Sequence, residues 1–356
     1  MKKTWIMLKE EPVLEIENYA CRILDYKRLP VSLRYEEVTF DDVMHGWTEN
    51  RTMNIGKTNA KKLLNGFGIS QSNPYLIARL FHFASLSDSY WLKEEGEEIG
   101  WNQVSLFTNP LEKAVSATAL LGVYGNFRSI KQKIHTPELT AQGVAAKAWI
   151  REPEGLYLYK VGKKELAAAR ILDALAIPHV DYQEADREKL LSIANQDVVD
   201  KIYDNDEKIV KCKIISSENR AIVPWEDFQT YCSFHNENEY EYIKKKDPVS
   251  YYRMQIADYI LGNEDRHGAN WGFFMENQSG ALTGLYPLMD HDHAFCMEKE
   301  IPSQTSEEEE MLYQAAQHAL ERTKVSFEDL LKMDRPEEIT GEEWQAVQER
   351  TKNLMK

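Results

Sequence analysis

The sequence predicts an α+β protein in two lobes, a small sheet-plus-helix lobe and then a larger, mainly helical one, with an extra α/β domain in front. Three observations predict it. The chain has 356 residues, about two to two and a half typical domains. From His135 to Trp225 strand-like runs alternate with a helical one, and from Met311 onward the pattern is helical. Between these stretches a capped helix, a polar loop and a hairpin follow one another. The expected domains are 1–125, of unassigned role, 126–225, the small lobe with a hinge, and 226–356, the helical lobe.

In the first domain, Asn73-Pro74 and Asn109-Pro110 each set a capping residue before a proline suited to a first helical turn. Leu76, Leu80 and Phe83 are expected on one apolar face of the first helix. Leu111, Val115 and Leu120 are expected on the second, which Gly122 and Gly125 end. The small lobe opens with strands over 144–150 and 156–161, joined by the turn-rich Arg151-Glu152-Pro153-Glu154-Gly155. A helix over 163–175 carries Leu166, Ala169, Leu172 and Leu175 at helical spacing. A strand over 177–182 follows, and then a hairpin of 209–215 with 221–225 around Ser216-Ser217-Glu218-Asn219.

Composition narrows the function classes. With 43% hydrophobic and 28% charged residues the chain reads as folded, not disordered. Its net charge of −15 repels phosphate backbones and anionic lipid, so neither direct nucleic-acid binding nor membrane-surface binding is expected. Cys21, Cys212, Cys232 and Cys296 are scattered, with no CxxC pair and no zinc spacing, and read as buried thiols of a cytoplasmic protein. Acidic residues follow the opening lysines too soon for a signal-peptide core. No apolar run approaches the roughly 20 residues that cross a bilayer.

The segment Asp247–Phe295 carries the chemistry. Asp247-Pro248 starts a helix and Gly262 is placed to end it. Asn263-Glu264-Asp265-Arg266-His267-Gly268-Ala269-Asn270 follows, then strands over 271–275 and 282–289 about a turn at Asn277–Gly280, then Asp290-His291-Asp292-His293. A hairpin that starts after Asn270 and ends before Asp290 brings the two residues side by side, because paired strands lie roughly 4.8 Å apart. Their oxygens suit a hard cation such as magnesium, which completes its shell with phosphate oxygens and water. Asp265 supplies a carboxylate on the same loop, able to accept the proton of an attacking hydroxyl. Burying such polar residues between apolar strands without a ligand would cost several kcal/mol each. Asp-x4-Asn, a hairpin and a further Asp is the arrangement of kinase-fold phosphotransferases.

GNEDRHGANWGF followed by LYPLMDHDHAF resembles the HipA-like serine/threonine kinase family, which pairs a DxHxxN catalytic loop with a short hairpin and a metal-binding Asp. MDHDHAF is also similar to the metal loop of phosphatidylinositol 3-/4-kinases, a related branch. Upstream, ELTAQGVAAKAWI, GLYLYKVG and KELAAARILDALAIPHVDY are similar to the family's small lobe, so the match runs from about Pro137 to Phe295. The first third shows no resemblance to the small barrel domain that precedes many members.

The resemblance implies a bilobal protein-kinase-like fold, ATP and Mg2+ as cofactors, and phosphoryl transfer to Ser or Thr of a protein substrate. Lys160 matches the strand lysine that neutralises the nucleotide phosphates, and Glu165 the helix glutamate that pairs with it. Asp265 is the implied catalytic Asp, with Asn270 and Asp290 as metal ligands and Asp292 as a competing one. His267 is expected to structure its loop and Arg266 to brace a carboxylate, while His291 and His293 are not read as a zinc pair. The phosphate-covering loop is placed at 139–147, with Thr140 and Gly143 toward the nucleotide and Cys212–Ile215 as hinge. Many members autophosphorylate a serine in this loop; this chain has none between Thr136 and Trp149, only Thr140. A toxin of this type has a separate antitoxin chain as partner. Two alternatives stay open: a phosphoinositide-type lipid kinase, and a kinase-fold scaffold without turnover.

Overall fold

The structure, a computed structural model, describes residues 2–69, 74–127, 135–141 and 143–356. Among the described residues it is a mixed α/β chain with three sheets. Strands β1 (Thr4–Leu8), β2 (Glu11–Glu17), β3 (Ala20–Ile23) and β4 (Tyr90–Glu94) form an antiparallel sheet of order β3-β2-β1-β4. Asn18 and Tyr19, both at positive φ (49° and 65°), close its tight β2–β3 turn. The second sheet contains β5 (Lys147–Glu152), β6 (Gly155–Val161), β7 (Tyr182–Glu184) and β8 (Ile209–Lys213), in the order β5-β6-β8-β7. The third joins β9 (Arg220–Pro224), β10 (Gly272–Glu276) and β11 (Leu282–Leu285), in the order β11-β10-β9.

The chain divides into two compact units. The first holds Met1–Val161, Glu184–Ile222 and Met275–Leu282; the second holds Gly162–Gln183, Val223–Phe274 and Thr283–Lys356. The first unit builds one core from both sides of residue 125. Val115, Ala119 and Leu120 of helix Lys113–Leu121 are buried together with Leu139, Ala148, Ile150, Tyr159 and Ile209. The second unit centres on aromatic rings. Trp225 stacks on Trp271 with centroids 4.1 Å apart, and Phe228 meets Phe273 edge-on at 4.8 Å. Gly272 is required there, because a Cβ would lie 2.1 Å from the Val223 carbonyl oxygen.

Several local expectations need correction. Asn73 lies outside the described residues. Helix Pro74–Leu80 ends before Phe83, and Leu76 and Leu80 are exposed, so they share no buried face with it. The second helix begins at Lys113 behind Glu112 as cap. Asn109 instead donates its side-chain amide to the carbonyls of Asn102 and Ser105. The segment expected as a strand over 177–182 spends its backbone bonds on Leu288, and β7 begins only at Tyr182. β8 and β9 form no hairpin: they enter different sheets, with one isolated bridge between Ser217 and Arg220. Of the four cysteines, none of them in a disulfide, Cys212 and Cys232 are buried while Cys21 and Cys296 are half-buried. Among the described residues no helix is long and apolar enough to cross a membrane.

Candidate active site

The second unit builds its polar loop from the end of helix Pro248–Leu261. Asp247 caps the start, accepting from the Ser250 N–H, and Pro248 fills the first turn. Gly262, at φ 59°, ends the helix in the left-handed conformation that glycine adopts without strain. The chain then turns back on a buried carboxylate inside that helix. Asp258 Oδ1 accepts from Asn263 Nδ2 at 3.2 Å, and Asn263 Oδ1 accepts from the Asp265 N–H at 3.3 Å.

Arg266 closes the arrangement. Its Nε and Nη2 donate to Asp258 Oδ1 at 3.1 and 3.0 Å, and both side chains are 1% exposed or less. Its Nη1 donates to the Met289 carbonyl at 2.6 Å and lies 3.3 Å from the Asn270 carbonyl. One guanidinium nitrogen therefore sets Asn270 beside the residue that precedes Asp290. The expected brace is present and its carboxylate is Asp258, whose signal in the sequence is a lone acid in the apolar run Ile256–Leu261. Asn270 Nδ2 donates to the Asp265 carbonyl at 3.0 Å, which fixes the amide and turns its oxygen the other way. Asp265 itself keeps a 40% exposed carboxylate. It lines a cleft of about 380 Å3 with Glu264, His293, Glu298, Ile301, Pro302 and Gln304. His267 accepts from the Ala269 N–H at 3.3 Å, a loop-structuring contact.

A carboxylate group lies in the same unit. Oxygens of Glu165, Asp290 and Asp292 fall within 4.8 Å of one another. Glu165 stands fully buried in the first turn of helix Lys164–Ala174. It accepts from the His291 N–H at 3.0 Å, and its other oxygen lies 3.4 Å from His291 Nδ1. Burial holds the His291 ring below the ordinary imidazole range, against the opposing pull of Glu165. Lys164 fixes that helix by donating to the Ala294 carbonyl at 3.2 Å and pairing with Glu343 at 3.1 Å. Asp290 sits at φ 60°, a left-handed conformation that aspartate tolerates better than most residues. The metal candidates Asp290 and Asp292 are thus brought together with Glu165. Neither the spacing nor the pattern of the sequence links Glu165 to His291, 126 positions away.

The first unit holds the remaining candidates. Lys160 is buried on β6 and faces Lys147 of β5 in register. Gly143 has φ 83°, and a Cβ there would lie 2.5 Å from Lys147 Nζ. Thr140 is 5% exposed and its hydroxyl donates to the Pro137 carbonyl at 3.3 Å, so its oxygen belongs to a tight turn. Cys212 and Lys213 of the expected hinge lie on β8, and the Ile214 N–H donates to the Leu156 carbonyl at 2.9 Å.

One unit holds a sheet with a lysine-bearing strand, and the other holds the braced loop and the clustered carboxylates. Among solved structures the chain is similar to HipA of Shewanella oneidensis MR-1, solved as a toxin–antitoxin complex of HipA, HipB and operator DNA. The TM-score is 0.54 at 12% identity, over 99% of this chain and 96% of that one. It also matches the proinflammatory kinase CtkA of Helicobacter pylori, with a TM-score of 0.42 at 14% identity, over 58% of this chain and 89% of that one. The fold is that of a HipA-like kinase, and the likeness extends into the first third of the chain. No protein-family model matches the sequence, and no curated protein does.

Proposed function

We propose that this chain is an ATP- and Mg2+-dependent kinase that transfers the γ-phosphoryl group to a serine or threonine hydroxyl of a protein. The observation that carries the proposal is the Arg266 brace, which ties the loop of Asp265 and Asn270 to the Met289 carbonyl just before Asp290. A loop that only had to be solvated would not need a buried guanidinium–carboxylate pair to hold it.

The residues fit a magnesium ion. The carboxylates of Glu165, Asp290 and Asp292 offer oxygen alone within a span suited to a shared cation, the donor type that magnesium takes. Asp290 and Asp292, with the side-chain oxygen of Asn270, would hold it. A bound ion would neutralise charge on the β- and γ-phosphates. Asp265 accepts the proton as the substrate oxygen forms its bond to the γ-phosphorus and the bridging bond to ADP breaks. Its partial exposure suits a group that must reach a protein substrate. Lys160 would supply positive charge to the phosphates, and the loop that carries Thr140 and Gly143 would cover them.

HipA stands with HipB and operator DNA in its solved structure, and by analogy we infer a separate antitoxin-like regulator for this chain and a cytoplasmic setting. The net charge of −15 argues against direct DNA contact by this chain, and the HipA complex keeps that question experimental.

The test is transfer of label from γ-labelled ATP with Mg2+, by wild type and Asp265→Ala, into the protein itself and into a cytoplasmic lysate. Label that depends on Asp265 supports the proposal, and its position identifies the acceptor. Two folded, ATP-binding proteins that transfer nothing would favour a scaffold, and label entering phosphoinositide vesicles instead would favour a lipid kinase.

A further inference from the structure

The first third of the chain has no part in the chemistry described so far. One of its lysines stands out. Lys57 is 3% exposed, yet among the described residues its ammonium, with three donors, has one hydrogen bond, 3.4 Å to the Glu138 carbonyl. A buried charge so thinly partnered is costly unless something else meets it.

Its surroundings are cationic. The segment of Lys57 lies against Val144, because the Thr58 N–H donates to the Val144 carbonyl at 2.9 Å. Lys147 sets its Nζ over Gly143. Lys147 also stands directly opposite Lys160 across the β5–β6 pair. Residues so paired present their side chains on one face, and like charges there repel. The charged groups acting on Lys57 are Lys147 and Glu138. Glu138 is a poor counter-charge. Burial pushes its carboxyl up, against the hydrogen bonds from Ser116, Thr136 and the Trp149 N–H, which favour its charged form. Burial, with repulsion from Lys147, lowers Lys57 to about 8.

We propose that Lys57 is a phosphate-binding residue: with Lys147 and Lys160 it forms a three-lysine site for a phosphoryl group. The first third of the chain thereby supplies part of the nucleotide site. The proposal rests on the kinase reading for its natural ligand, a nucleoside triphosphate, but not for the anion site itself. A polyphosphate supplies the same chemistry without the base, so the two sources are separable.

The experiment is calorimetric titration of the full chain with inorganic tripolyphosphate, with ATP and with adenosine. Lys57→Met is expected to weaken tripolyphosphate and ATP about tenfold, the scale of one charge-assisted hydrogen bond. Adenosine binding and the melting temperature should not fall. The ratio of wild-type to Lys57→Met affinity for tripolyphosphate should shrink as pH rises above about 8, a change that a purely structural lysine would not produce. Should Lys57→Met fold poorly, Lys57→Arg is to keep the affinity and Lys147→Met to lower it. Wild-type affinity in a folded Lys57→Met, or no tripolyphosphate binding by wild type, overturns the proposal. Lys57-dependent tripolyphosphate binding without any transfer from ATP would leave the anion site standing and remove the kinase reading.

Discussion

Two polar loops bear the proposed chemistry, and they are held in opposite ways. The loop over 263–270 is held mainly by its neighbours in sequence, with longer-range bonds from Arg266 to the Met289 carbonyl and from Gln304 to the Glu264 carbonyl. Asp258, Asn263, Arg266 and Asn270 bond one another within 12 positions, and helix Pro248–Leu261 provides the platform. Glu138 and Val144, on either side of Thr140, are held from a distance. Lys57 reaches the Glu138 carbonyl from 81 positions away, and Thr58 bonds Val144. A loop that closes on local partners depends on a few buried bonds and fails when one is cut. A loop clasped by distant segments depends on charge and responds to pH and to anions.

The largest expected effect breaks the local clasp. Arg266→Met leaves Asp258 buried and unpaired, so unfolding free energy should drop by about 3–5 kcal/mol in denaturant titration. Combining it with Asp258→Leu should recover much of that loss, because replacing both partners of a buried pair by apolar groups is often near neutral. Recovery with no return of transfer would separate the stability role of the brace from its positioning role. An Arg266→Met protein as stable as wild type would show that the loop needs no brace.

The same contrast explains what the sequence could reveal. Helix Pro248–Leu261, its Asp247 cap and its Gly262 stop are written in consecutive residues, and so is the hairpin that returns Met289 to Asn270. The partner of Arg266 lay within reach too, as an acid in an apolar run. Glu165 and His291 were out of reach, since only the completed fold carries a helix start to a loop 126 positions on. The first third failed for a related reason. Its helix Lys113–Leu121 buries Val115 and Leu120 in a core shared with β5 and β6, and one chain's pattern shows that a face is apolar without showing what it meets. Leu76 and Leu80 have the spacing of a buried face and are exposed.

A second expected effect concerns the carboxylates. Glu165→Gln removes one charge from the oxygen group, and manganese or magnesium titration of the folded variant should show affinity reduced about tenfold or more. Unchanged affinity would assign Glu165 to holding His291 alone.

The distant clasp gives a smaller, signed effect. Lys57 is lowered from 10.5 to about 8 in the folded chain, so between those values the unfolded chain binds more protons. Stability from this group therefore rises as pH goes from about 8 toward 10.5. Buried thiols and tyrosines titrate there in the opposite sense, so the measurement is the difference between wild type and Lys57→Met. That difference should move in favour of wild type across the window, and a flat difference would contradict the burial of a charged Lys57. The smallest effect belongs to Leu76→Gln at an exposed site, expected within about 0.5 kcal/mol of wild type. A larger loss would mean that this face is covered.

Separating nucleotide binding from transfer tests the central claim most directly. Wild type, Asp265→Ala and Asp290→Asn are each titrated with ATP and Mg2+, and transfer of labelled γ-phosphate is then timed on the same samples. Asp265→Ala should bind like wild type and transfer about a hundredfold to ten-thousandfold more slowly, the range of a lost general base, while Asp290→Asn should lose the Mg2+ dependence of binding. An Asp265→Ala protein that transfers phosphate at the wild-type rate would contradict the assignment of this loop as the catalytic centre.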